Sequence, residues 1–168
     1  MPGIAQAVTC GLVAARAGDH RPSRLSFQVL MYPALDPTMG SESITEFAEG
    51  YYLSREELRW CWRRYLGPEA DWELPEVTPL HRADLSQLPR TLLIVAGHDP
   101  LRDEGVSYAK RLEAAGVHTV LRNYQGMIHG FVRFLRVLDA AHEAIDEVAR
   151  FVRAATGLPE TVRTDLQC

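Results

Sequence analysis

An α/β protein built on a short parallel sheet is predicted, on three observations. Residues 91–105, TLLIVAGHDPLRDEG, pass from buried-type side chains through Gly97-His98-Asp99-Pro100 into a helical pattern. Residues 119–131 repeat that course, strand-like from Thr119 to Asn123 and then Tyr124-Gln125-Gly126-Met127-Ile128-His129-Gly130-Phe131. The whole order is helix, strand, insertion, strand, helix, strand, helix. Such alternation gives parallel strands with right-handed crossovers and helices on both faces, a three-layer αβα arrangement.

Residues 3–17 are rich in Ala, Val and Leu and stop at Gly18-Asp19, which reads as a buried helix with a glycine terminator. Residues 25–32, LSFQVLMY, mix aliphatic and aromatic side chains and end at Pro33, as a buried parallel strand does. Pro33-Ala34-Leu35-Asp36-Pro37 then turns the chain away from the sheet. Ser41 to Tyr51 is polar and reads as an irregular, mobile stretch. Ser54-Arg55-Glu56-Glu57 is a capping box, with Ser54 as cap and Glu57 reaching back. The helix it opens runs through Trp60, Trp62, Tyr65 and Leu66 to Gly67-Pro68. Its two tryptophans either pack the helix onto the body or line a pocket. Pro68, Pro75, Pro79 and Pro89 make residues 68–89 an ordered surface loop.

The remaining elements are strand 91–96, helix 102–115 ending at Gly116, strand 118–123 and a last helix over 137–155. In the first of these helices Val106, Ala109 and Leu112 share one face, with charge opposite. In the last, Leu138, Ala141, Ile145, Val148, Ala149 and Val152 form the inward stripe. Residues 157–168 read as a loose tail. Three strands leave one sheet edge bare, at strand 25–32, and a bare edge is a row of unpaired N–H and C=O groups.

Composition excludes several classes. A net charge of −4 gives no reason to expect nucleic acid or an anionic membrane surface as partner. No apolar run approaches the ~20 residues of a membrane span. The first residues lack the basic start of a signal peptide. Cys10, Cys61 and Cys168 are widely separated, with no CxxC, and read as reduced thiols of a cytoplasmic protein rather than a disulfide framework or zinc site. No metal or other cofactor is expected: His98, Asp99, Asp103 and His129 match no ligand spacing.

Two residues carry the chemistry. Asp99 ends a strand, where open α/β sheets collect their sites, and can hold a histidine by its Nδ1–H. It also stands where a helix N-cap belongs, just before Pro100, and that reading remains open. His129, on a loop beside Gly130, can serve as general base, and its place one βα unit after Asp99 favours a nucleophile–histidine–acid triad over an inert histidine. Asp103 and Glu104 lie in the first helical turn and read as structural partners of the helix dipole. The expected nucleophile, a serine on a G-x-S-x-G elbow, is not found. Ser41 lies in the insertion, and Ser107 and Cys10 are mid-helix.

LSFQVLMYPALD, SREELRWCWRRYLG, TPLHRADLSQLP, AGHDPLRDEG and YQGMIHGF, in that order and spacing, resemble the hormone-sensitive-lipase-like family of α/β-hydrolases, which includes bacterial carboxylesterases and lipases. The resemblance implies that Asp99 is the triad acid and His129 the base. It implies that residues 38–80 belong to a cap over an acyl pocket, that a small acyl ester is the substrate, and that the family's dimer edge corresponds to strand 118–123. The family's HGGG oxyanion motif and GDSAGG elbow are not in this sequence, and helix 3–17 resembles the helix that follows the elbow. Residues 1–156 are therefore expected to form the carboxyl-terminal part of an α/β-hydrolase domain, inactive alone and able to pair with an amino-terminal half. The rival expectation is a non-catalytic module that pairs through its bare edge.

Overall fold

The computed structural model describes residues 25–67 and 78–157. The expected helix 3–17, residues 68–77 of the proline-rich loop, Cys10, and the tail beyond Gly157 lie outside the described residues. One parallel sheet has the order β1 (Phe27–Met31), β2 (Arg90–His98), β3 (Thr119–Ile128). Helices α1 (Glu42–Glu46) and α2 (Arg55–Leu66) come between β1 and β2, α3 (Arg102–Ala114) joins β2 to β3, and α4 (Asp139–Thr156) follows. Short 3-10 turns cover Pro79–His81 and Phe131–Phe134.

The three layers follow from the alternation of side chains along β2. Leu93 joins Leu30, Tyr108, Ala109 and Leu112 on the α3 side. Leu92, Ile94 and Ala96 join Phe131, Ala141, Ala144 and Phe151 on the α4 side. Leu92 to Ala96 are no more than 1% exposed, as a central strand covered on both faces requires. Each large side chain so buried contributes about 1.5–3 kcal/mol. A third cluster, Ile44, Leu58, Trp62 and Leu101, fastens α1 and α2 to the body.

The structure departs from expectation in four places. Both later strands run further, β2 to His98 and β3 to Ile128. Gly97 makes that possible: a Cβ there would collide with the carbonyl of Gln125, so only glycine lets β3 pass. The stretch 41–51 is not irregular throughout, because Ile44 and Phe47 are 2% and 4% exposed and pull a helical turn onto the body. The tryptophans divide, with Trp62 in the third cluster and Trp60 exposed beneath the Arg64 guanidinium. On α4, Ile145 is 43% exposed rather than inward. The packed stripe runs through Ala141, Ala144, Val148 and Phe151, spacings of three and four that leave Ile145 at its margin.

Candidate active site

Register places the two chemical residues. The β2–β3 ladder shifts between Ala96 and His98 and resumes with His98 opposite Ile128. The next residue on each strand is then Asp99 and His129. Adjacent parallel strands leave the sheet side by side, so these two emerge together at its carboxyl end.

Asp99 Oδ2 lies 2.9 Å from His129 Nδ1. The carboxylate is 1% exposed, and its other oxygen accepts the Leu101 N–H at 2.9 Å. Both functions left open for Asp99 are thus met by one side chain: Oδ1 starts the helix and Oδ2 holds the imidazole. A carboxylate at Nδ1 fixes the tautomer with its proton there, so Nε2 is the nitrogen left to take up a proton. The ring is tilted against Tyr32, centroids 5.0 Å apart. Gly130 follows with φ of 72°, a left-handed turn that suits glycine and sends Phe131 into the core.

Tyr32 belongs to this site, though the sequence reading passed over it. It stands one residue past β1, where its N–H donates to the Ile94 carbonyl at 2.7 Å. Its φ of 41° is left-handed and costs a non-glycine residue about 1–3 kcal/mol. The hydroxyl accepts the Val132 N–H at 3.4 Å. Burial pushes its pKa up to about 12; the Val132 N–H works against the rise and the Asp99 charge adds to it. The available signal was its position at a strand's carboxyl end.

Two further residues anchor the segment over the β2 exit. Ser43 is fully buried; its hydroxyl donates to the Pro100 carbonyl at 2.6 Å, and its N–H donates to Asp103 at 2.9 Å. Arg102 bonds Asp103 and Glu46, each at 2.8 Å, donates to the Gly97 carbonyl, and covers the Phe47 ring. Asp103 is structural, as read. Burial alone would raise its pKa, but Arg102 and Ser43 hold the carboxyl below the usual range. Glu104 differs from its neighbour in being only 3% exposed.

The other candidates lie apart. His98 stacks on Tyr51, and no three His, Cys, Asp or Glu side chains gather as a metal-holding group among the described residues. Ser54 caps α2 and Ser107 is exposed on α3. Burial raises the Cys61 thiol, with the Glu57 charge adding to the rise, which disfavours a reactive thiolate. Among the described residues no helix is long and apolar enough to cross a membrane.

A parallel αβα sheet with a carboxylate and an imidazole joined at neighbouring strand exits defines an α/β hydrolase as the class. Residues 4–133 match the α/β-hydrolase fold family, and the chain belongs to that family, in its hormone-sensitive-lipase-like branch. It is 35% identical over 153 residues to the carboxylic ester hydrolase LipN of Mycobacterium tuberculosis, covering 90% of this chain and 41% of that one. It is 39% identical over 137 residues to carboxylesterase NlhH of the same organism, covering 79% and 43%. Among solved structures, an ester hydrolase from the Lake Arreo metagenome superposes with TM-score 0.79 at 41% identity, over 92% of this chain and 48% of that chain. The chain thus spans less than half the length of each of these relatives.

Proposed function

We propose that this chain supplies the acid and base of a carboxylic ester hydrolase that works through a serine nucleophile carried outside it. The observation behind the reading is the 2.9 Å contact between Asp99 and His129 at adjoining strand exits. The serine hydroxyl attacks the ester carbonyl while His129 Nε2 takes its proton. Asp99 orients the ring and stabilises the imidazolium. His129 then returns the proton to the departing alcohol, and water releases the acyl group by the same steps. The substrate is a small acyl ester, and the cap segment 38–80 forms part of its acyl pocket. No cofactor takes part.

The test uses p-nitrophenyl butyrate. The chain alone is expected to give no turnover above background. Fused behind the amino-terminal portion of LipN, it is expected to turn over, and His129→Ala to cut that rate by roughly 10⁴-fold or more. Turnover by the chain alone, or a fusion indifferent to His129→Ala, would overturn the reading.

A second reading rests on β1, an edge strand whose side chains alternate between buried and half-buried. On this reading the chain is a pairing module, joined to an amino-terminal half along β1 or to a second copy along β3. Light scattering decides: a clean monomer that melts cooperatively speaks against both pairings.

A further inference from the structure

Glu104 is a buried carboxyl that the proposed mechanism does not use. It lies in the first turn of α3, 3% exposed. The N–H groups of Leu35 and Asp36, in the turn after β1, donate to it. Its Oε1 is buried without a hydrogen-bond partner among the described residues. Two charged carboxyl groups face it: Asp36 from that turn, and Asp99 from the β2 exit. Behind each stands a histidine, His81 at 3.0 Å from Asp36 and His129 at 2.9 Å from Asp99. Tyr108 stands one turn further along the same helix.

The turn that Glu104 grips starts at Tyr32, whose left-handed backbone must be held in place by its surroundings. Tyr32 forms one wall of the His129 ring and Asp99 holds its Nδ1. The β1 exit and the β2 exit therefore meet at Glu104, three residues along α3 from the Leu101 N–H that Asp99 caps.

We propose that Glu104 is a positioning residue for the acid–histidine pair: its neutral carboxyl clamps the Leu35–Asp36 turn to the start of α3 and so fixes Tyr32 and Asp99 on either side of His129. The clamp is neutral because a carboxylate there would stand between two others in a dry site. Burial, together with Asp36 and Asp99, raises its pKa well above the ordinary range despite the two amide donors. One oxygen takes both amides, and the unpartnered Oε1 carries the proton. The role assigned rests on the esterase reading; the geometry it requires does not.

Proton NMR of the 168-residue chain reads that geometry without any activity. The low-field His129 Nδ1–H signal reports the Asp99 bond, and the ring carbon shifts report its titration. Glu104→Gln reproduces the neutral acid in shape and is expected to fold and keep the signal. It should also abolish an alkaline inflection that Glu104 ionisation imposes on the wild-type His129 shifts. Glu104→Ala is expected to lose the signal, and folding failure of that variant would leave Glu104→Gln as the deciding arm. A Glu104→Gln chain that does not fold, loses the signal, or keeps the alkaline inflection would overturn the proposal. So would a folded Glu104→Ala with an unchanged His129. Each of these outcomes is independent of p-nitrophenyl butyrate turnover, so the clamp and the esterase reading can fail separately.

Discussion

Two carboxylate–imidazole pairs lie in this molecule with nearly the same bond length, 2.9 Å for Asp99–His129 and 3.0 Å for Asp36–His81. They differ in which nitrogen is bound and in what surrounds it. His81 bonds through Nε2, its side chain is 58% exposed, and its neighbour Leu80 donates to the Leu35 carbonyl. That pair is a staple between two loops. His129 bonds through Nδ1, its side chain is 15% exposed, and Tyr32 walls its ring. A bond length alone therefore does not separate a staple from a site. The ring nitrogen left over and the dryness around it do.

The largest expected effect comes from uncoupling one pair while sparing the other. Gly97→Ala would drive a methyl into the Gln125 backbone and cost about 4 kcal/mol or more, since neither strand can yield. Urea unfolding should register it, and His81 shifts should stay unchanged in whatever remains folded. Next is Asp99→Ala, which orphans the Leu101 N–H and the His129 ring in a buried place, for about 2–3 kcal/mol. His81→Ala removes an exposed partner and should cost no more than about 1 kcal/mol. Equal losses from Asp99→Ala and His81→Ala would erase the distinction drawn between the pairs.

Acid and alkali should act on the two ends of this network in opposite senses. Burial alone would raise Asp36, but bonds from Thr38 and His81 outweigh it and hold the carboxyl below its ordinary value. With its folded pKa lowered, Asp36 stabilises above the unfolded value of 3.8, and that stability is lost as pH falls through the folded value. Glu104 has its folded pKa raised above 4.5. Its contribution is complete below 4.5 and is lost as pH rises through the folded value. Melting curves against pH should show both slopes. Asp36→Asn should flatten the acid limb and Glu104→Gln the alkaline one, with the other limb unchanged in each case.

Much could be read from residue order. The αβα alternation, the β2 run, the Ser54–Glu57 capping box and the residues Asp99 and His129 all rest on local patterns of burial period, turn chemistry and capping. These depend on neighbours within a turn or two, which a string displays directly. The short α1 was hidden because two apolar residues in a polar stretch, Ile44 and Phe47, declare nothing until something covers them. Ile145 was misassigned for the converse reason, since an apolar residue at a stripe's margin turns inward only if a surface meets it there.

Contact between distant residues needed the third dimension. Asp99 and His129 are 30 positions apart, and what joins them is the resumed register at His98 and Ile128 beyond the Gly97 crossing. The fate of Glu104 was likewise undecided by its helix position, where an acid suits the dipole whether wet or dry. Only the arrival of the Leu35–Asp36 turn made it a buried one. Local propensity names the side chains that chemistry can use. Packing of strands and turns far apart in the chain sets their solvent, their partners and their protons.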